Sequence, residues 1–455
     1  MITKLLNYLE NKKILILGFG KEGESTYKLL RNNFPEKSLF IADKNMNLLA
    51  EKIELIEDPY VEVSLGENYL NGIEEYDLII KAPGISLKDI DLSDFEEKIK
   101  SQLELFLEFV DVYTIGITGT KGKSTTSSLM YKVLCDQEKN AFLLGNIGEP
   151  IFNSIEEISN ESIVVLELSS HALEFVNKSP NIAILLDIYE EHLDHYKSFE
   201  KYIEAKYNVA KFQEKDDFFI YNYDNENMKK FGYKYKESDY AVSMQSIPQT
   251  QNRVYLENDH IYFNGKELMS IKEEMNLKGI HNMNNIMFIL SVCEILNLDI
   301  LEAINSIKDF KPLEHRMEFV STINGISYYN DSIATIPAST INAVNALGNV
   351  NTILVGGNDR GVDLSDLINF LRNHETINNI ICLPKTGEFI KEELKESSKN
   401  VKYFEDLQSA VKYAKEITKE NTICLLSPAA SSYGYFKNFE ERGKLFKKYV
   451  LDENI

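Results

Sequence analysis

Runs of apolar residues, each stopped by glycine or a polar turn, divide this chain into three blocks. Residues 14–17 are wholly apolar and meet Gly18-Phe19-Gly20-Lys21-Glu22-Gly23. Helix-period spacing follows over residues 25–32, then a second apolar run, 39–42, ending on Asp43. Short apolar runs bounded by turn residues predict strands buried on both faces. Residues 77–80 repeat the pattern, a Pro-Gly turn follows at 83–84, and residues 96–110 have helical spacing. The second block opens with a β-type run, 112–117, a glycine-rich stretch and a helical pattern over 124–137. Strand-like runs at 141–144, 163–168 and 182–188 precede a long helical pattern at 199–212. Residues 255–268 alternate as a hairpin, 281–296 read as a helix, and Pro312 marks a boundary. The third block begins with a hairpin over 318–329 on Asn324-Gly325. Strand runs at 352–355, 380–383 and 422–426 then alternate with helices.

Alternation of this kind predicts mostly parallel sheets covered by helices. The expected fold is α/β in three domains: a Rossmann-like domain over residues 1–110, a central P-loop ATPase-like domain with a mostly parallel sheet over 111–311, and a Rossmann-like domain over 312–455. A length of 455 residues fits two to four domains.

Charge narrows the partners. The formal net charge is −22 and 44% of residues are hydrophobic. Such a surface repels nucleic acid and anionic membrane, so neither is an expected partner. It also repels a nucleoside triphosphate, so an anion site must be locally positive or bring Mg²⁺. Four scattered cysteines without a Cys-x-x-Cys pair fit reduced thiols. No apolar stretch approaches membrane-spanning length. The expectation is a soluble, cytoplasmic monomer.

The chemistry centres on Gly116-Ile117-Thr118-Gly119-Thr120-Lys121-Gly122-Lys123-Ser124-Thr125. A glycine-rich loop between strand and helix turns backbone N–H groups onto phosphate oxygens. Lys123 reaches the outer phosphates and the Ser124 hydroxyl holds Mg²⁺. The match is imperfect, because Ile117 stands where the standard loop has its first glycine. Gly18, Gly20 and Gly23, with Asp43 about 20 residues on, form a dinucleotide-type fingerprint. Alone it is equally consistent with NAD or with another ligand on the same fold. Glu167 ends a strand, where an acid can hold a nucleotide's Mg²⁺. His192 and His195 lie among carboxylates, a metal site or a hydrated turn. Asn282 and Asn285 start a helix, to read an adenine edge or to cap. By itself Lys206 reads as a surface lysine on a helix.

Taken together these stretches resemble a known family. The phosphate loop, Glu167-Leu168-Ser169-Ser170, His281-Asn282-x-x-Asn285 and His315-Arg316-x-Glu318 stand in the order found in the Mur ligases, ATP-dependent amide-forming enzymes that build the peptidoglycan stem peptide. The resemblance spans essentially the whole chain, and the odd loop spacing is the family's own form. Asn330-Asp331-Ser332, Ser427-Pro428-Ala429 and residues 436–443 point to the member that adds D-glutamate to UDP-N-acetylmuramoyl-L-alanine. The resemblance implies catalytic roles for Lys123, His192 and Lys206. It implies ATP contacts from Gly119, Thr120, Lys121, Gly122, Lys123, Ser124, Thr125, Asn282, Asn285, Arg316 and Asp331. Two Mg²⁺ sites follow, one on Ser124 and Glu167, the other on His192 and a carbamylated Lys206. The UDP-sugar would meet Gly18, Gly20, Gly23, Asp43 and Asn146, and D-glutamate would meet Thr335, Arg360, Ser432 and Phe439. The chain departs from the family pattern at Lys21, Glu22, Lys121, His171, Ile333 and Arg360. The rival readings are a sister ligase adding another amino acid, a nucleotide switch, and a nicotinamide-dependent oxidoreductase or sensor.

Overall fold

The computed structural model describes residues 2–452 except 88, 89, 192, 197, 231–235, 237, 248–251, 278, 312, 313, 360 and 361, and except the side chains of 193, 194, 230, 280 and 281. The expected boundary at Pro312, like His192 and Arg360, lies outside the described residues. The chain forms two compact units, Met1–Glu274 with Asn282–Asp309, and Met275–His281 with Phe310–Ile455. The first unit holds two sheets and the second one.

The first sheet comprises β1 (Ile14–Leu17), β2 (Leu39–Asp43), β3 (Val61–Leu65), β4 (Leu78–Lys81) and β5 (Ile99–Lys100). All pair in parallel, in the order β3-β2-β1-β4-β5. β1 is buried at every position, as its unbroken apolar run requires, and β4 is buried throughout although it ends on Lys81. The order reverses between them, where an open parallel sheet leaves a ligand crevice. The Gly-x-Gly-x-x-Gly turn follows β1 and leads into the helix Lys21–Asn33, which starts earlier than its sequence spacing indicated. A Cβ on Gly23 would collide with the Gly18 carbonyl, so helix and turn close-pack only with glycine there.

The central sheet comprises β6 (Tyr113–Thr118), β7 (Ala141–Gly145), β8 (Ile163–Glu167), β9 (Ile182–Leu185), β10 (Phe218–Asn222), β11 (Tyr240–Ser243), β12 (Asn252–Glu257), β13 (His260–Phe263) and β14 (Lys266–Ser270). Its order is β14-β13-β12-β11-β10-β9-β6-β8-β7, parallel from β7 to β12 and antiparallel over the last two pairings. This is the mostly parallel sheet with a small antiparallel part that the pattern indicated.

The third sheet, β15 (Glu318–Ile323), β16 (Ile326–Asn330), β17 (Val350–Val355), β18 (Asn379–Cys382), β19 (Asn400–Tyr403) and β20 (Ile423–Leu426), runs in the order β15-β16-β20-β17-β18-β19. Its opening hairpin turns through Asn324 and Gly325, at φ 50° and 74°, the positive values an Asn-Gly turn adopts.

Residues 96–110 differ from the single helix their spacing indicated. Ile99–Lys100 pairs with β4 as an edge strand, and the helix Gln102–Phe109 begins only after Ser101, whose hydroxyl accepts the Glu104 N–H. All four cysteines are free, and Cys293, Cys382 and Cys424 are buried.

Candidate active site

The phosphate loop leaves the C-terminal end of β6 and is tied to the chain after β9. Leu186 N–H donates to the Thr118 carbonyl at 2.9 Å, and Thr120 N–H to that of Asp187 at 2.6 Å. Gly122, at φ 86°, precedes the helix Lys123–Asp136, and a Cβ there would lie 2.7 Å from Asn285 Oδ1. Only glycine allows that approach. Asn285 in turn donates to Asn282 Oδ1 at 3.1 Å, so the two predicted amides sit together beside the loop.

Two lysines converge on this loop. Lys123 Nζ donates to the carbonyls of Gly119 and Thr120, both at 3.0 Å. Lys206 Nζ donates to the same Gly119 carbonyl at 2.8 Å. Lys206 is not the surface lysine that its sequence context alone indicated: it is 2% exposed. Burial, and then the charge of Lys123, hold its amine well below the usual lysine range. Thr120 Oγ1 fixes the loop from a third side, 3.0 Å from the Tyr202 hydroxyl and accepting the Tyr189 N–H at 2.9 Å.

Glu167 closes the floor. It is buried, accepting from Asn146 Nδ2 at 2.7 Å and from the Ser127 hydroxyl at 3.3 Å. Asn146, expected at the UDP-sugar, is thus joined to the expected metal ligand. Ser124 is half-buried at the start of the helix. Thr125 points into the buried side. Lys121 pairs with Glu191 at 3.0 Å. Nearby, His195 Nε2 lies 3.2 Å from Glu174, and its ring meets His171 edge-on at 4.5 Å.

In the first sheet, Asp43 accepts the N–H of Phe19 at 2.6 Å and that of Asn45 at 2.7 Å, which fixes the turn carrying Gly18 and Gly20.

In the second unit, Asp331 is buried at the end of β16. It accepts from the Ser427 hydroxyl at 2.8 Å and Met317 N–H at 3.2 Å, and burial pushes its carboxyl up to about 7. Arg316 acts on it electrostatically, and its Nε is buried without a hydrogen-bond partner. Arg442 is 1% exposed and donates to Ser332 Oγ, the Ser332 carbonyl and the Ala430 carbonyl at 2.8–3.2 Å. Glu314, His315 and Glu318 lie close enough to hold a cation, but the Lys447 ammonium already bridges the two carboxylates. Ser432 lines a cavity of about 380 Å³ at the strand ends, with Gly357, Asp406, Tyr435 and Tyr449. Thr335 lies in a much smaller hollow beside Asp359 and Ser431. Phe439 starts the helix Phe439–Leu451, with its ring 6.1 Å from that of His315.

Residues 117–293 match the Mur ligase middle domain, and residues 315–430 match the Mur ligase glutamate ligase domain. The UDP-N-acetylmuramoylalanine–D-glutamate ligase of Thermoanaerobacter sp. (strain X514) is 31% identical, over 98% of this chain and 99% of that protein. The chain belongs to the Mur ligase family. The corresponding ligase of Clostridium kluyveri (strain ATCC 8527) is 32% identical over 98% of both chains. The crystallised MurF ligase of Thermotoga maritima, solved with ADP, superimposes at a TM-score of 0.60 with 16% identity over 99% of each chain, which establishes the shared Mur ligase fold.

Sequence reasoning missed two residues of this Mur ligase's loop region, Ser127 and Tyr202. Both carried a signal. Ser127 lies four residues after Lys123, and Tyr202 four before Lys206, so each shares a helix face with a residue already singled out.

Proposed function

We propose that this chain joins D-glutamate to the L-alanyl carboxylate of UDP-N-acetylmuramoyl-L-alanine, at the expense of ATP, in cytoplasmic peptidoglycan precursor synthesis. The observation that carries this reading is the end-to-end match to D-glutamate ligases. A carboxylate does not accept an amine near neutrality, because oxide is a poor leaving group. The substrate carboxylate oxygen therefore attacks the γ-phosphorus and ADP leaves. The neutral amine of D-glutamate then attacks the acyl carbon, loses a proton, and phosphate departs from the tetrahedral intermediate.

Two anions must meet for the first step. Gly119, Lys121, Gly122, Ser124 and Thr125 would cradle the phosphates with backbone N–H groups and hydroxyls, while Thr120, its N–H and hydroxyl already engaged, holds the loop in shape. Lys123 exchanges its carbonyl partners for phosphate oxygens and offsets the charge repulsion. Asn282, Asn285, Arg316 and Asp331 serve the nucleotide. Glu167 is a buried carboxylate whose hydrogen-bond donors are both neutral, which fits a hard divalent cation, with Ser124 as its neighbour. Bound Mg²⁺ supplies charge neutralisation for the phosphates. Lys206 as an amine offers no hard oxygen. Burial holds the pKa of that amine well below the usual lysine range, and the neutral form of an amine is the one that adds carbon dioxide, losing a proton, to become an anionic carbamate. In that state, with His192, Lys206 becomes an oxygen donor for a second Mg²⁺.

Gly18, Gly20, Gly23, Asp43 and Asn146 serve the UDP-sugar. Thr335, Ser432, Phe439 and Arg360 serve D-glutamate, with the guanidinium pairing bidentately with one carboxylate. The test is phosphate release with ATP, UDP-N-acetylmuramoyl-L-alanine and a panel of amino acids. Release should need all three substrates and prefer D-glutamate. In the same assay Arg360→Ala should raise KM for D-glutamate by roughly 10-fold or more while sparing that for ATP. Equal turnover with L-lysine or meso-diaminopimelate would move the chain to a sister reaction.

A further inference from the structure

Asp187 lies two residues past β9, in the segment that grips the phosphate loop. Its carbonyl accepts the Thr120 N–H, and its neighbours hold the loop again through Leu186 N–H to Thr118 and Tyr189 N–H to Thr120 Oγ1. Gly119 packs so tightly here that a Cβ on it would lie 2.6 Å from Leu186 Cβ and 3.2 Å from the Asp187 carbonyl oxygen. The Gly119 carbonyl receives both Lys123 and Lys206. Residues 186–189 therefore set where that carbonyl points, and with it where both ammonium groups stand.

A side-chain network fixes this segment in turn. Asn222, the last residue of β10, donates from Nδ2 to Asp187 Oδ1 at 2.6 Å, and Asn225 Nδ2 reaches the same oxygen at 3.4 Å. Asn225 and Asn227 also donate to the Ile188 carbonyl, at 3.2 and 2.9 Å. The far end of each amide settles its orientation. Asn222 Oδ1 accepts the Asp224 N–H, and Asn225 Oδ1 accepts those of Asn227 and Met228, so both Nδ2 groups must face Asp187. The nearby Asp224 carboxylate is taken up by the Ser243 hydroxyl and the Met244 N–H, at 2.7 Å each. Asn284 acts on Asp187 from the helix Ile280–Ile295, one residue before the amide that meets Gly122. Hydrogen bonds to an ionised acceptor are short and strong, and without that acceptor the buried Asn222 amide loses its partner.

We propose that Asp187 is a positioning residue for phosphoryl transfer: its carboxylate, gripped by Asn222 and Asn225, anchors the segment that orients the phosphate loop and its two lysines. Asp187 touches no substrate and acts through Thr120 and Gly119. The inference rests on ATP use and not on which amino acid is joined, so the two are tested separately.

Asp187→Leu removes the acceptor at similar size. Calorimetric titration of the full chain with ADP should show binding weakened roughly 10- to 100-fold, with kcat lowered by a similar factor. KM for the UDP-sugar and for D-glutamate should stay within about twofold. Asp187→Asn keeps an oxygen for Asn222 and should bind ADP within about threefold of wild type. Asn222→Leu should reproduce the loss of Asp187→Leu, and the double variant should be little worse than either, because the two residues act as one unit. A residue needed only for stability would lower the melting temperature and the active fraction while leaving ADP affinity unchanged, which overturns the proposal. Fully additive losses in the double variant also overturn it. If Asp187→Leu does not fold, Asn222→Leu and Asp187→Asn carry the test. A wild type whose ADP binding depends on Asp187, yet which releases no phosphate with D-glutamate, overturns the ligase reading alone.

Discussion

The basic side chains at the phosphate loop and those of the second unit have different partners. At the phosphate loop, Lys123 donates to the carbonyls of Gly119 and Thr120, and Lys206 to that of Gly119. In the second unit, Arg442 is spread over Ser332 and Ala430, and Lys447 bridges Glu314 and Glu318. A buried charge that is under-satisfied by its own chain is unfavourable until a ligand arrives. One that is fully hydrogen-bonded holds the fold together. On the proposed reading, Lys123 gives up neutral carbonyl partners to a ligand, whereas Arg442 and Lys447 keep theirs and fix the scaffold.

The sharpest way to break this contrast is at Lys206. Lys206→Ala should lower kcat on the order of 10³-fold while keeping or raising the melting temperature. Acetate should restore part of the activity by filling the space of the proposed carbamate. A fully active variant would return Lys206 to the role of a structural residue, and so would mass data showing an unmodified amine in active, bicarbonate-supplied protein.

Arg442 should behave in reverse. Arg442→Met leaves the Ser332 and Ala430 carbonyls without their buried donor, and should cost about 3 kcal/mol or more of stability. Urea unfolding reads this directly. An unchanged midpoint would show that the second unit does not depend on its satisfied charge.

An effect of opposite sign is expected at Asp331. Its folded carboxyl, raised by burial from 3.8 to about 7, keeps a proton that the unfolded chain has released. That stabilisation is complete below about pH 4 and is lost as pH rises toward 7, the direction required when the folded state binds more protons. Asp331→Asn should therefore gain stability at pH 8 relative to wild type, up to the roughly 4 kcal/mol that a shift from 3.8 to about 7 carries, and nothing near pH 4. Thermal melts at both pH values check this. Equal destabilisation at both would mean that the carboxylate is held ionised.

The strands best read from sequence were those built on apolar runs, such as β1, the 78–80 stretch of β4 and the 353–355 stretch of β17, because burial on both faces demands such runs. β3 and β19 escaped notice. Each is an edge strand with exposed positions, so its composition carries little apolar signal. β10 and β11 are short and mixed with Tyr, Asn and Ser, and only their neighbours in the sheet bury them. The phosphate loop was legible because its chemistry is local: glycines, lysine and serine act at fixed offsets within one strand-loop-helix. Asn282 and Asn285 were legible as polar residues opening a helix. Their place beside Gly122 was not.

By itself the sequence determined the three-block α/β pattern, the phosphate loop, and through full-length likeness the family. These depend on periodicity and on residues close together in the chain. Tertiary structure decided which charges are satisfied. Lys206 reads as a surface lysine until the chain around Gly119, 87 positions away, buries it. Lys81, just past the apolar run at 77–80, is buried beside Phe175 from a distant part of the chain. Burial and counter-charge depend on what packs around a residue from distant parts of the chain, and local sequence does not encode that.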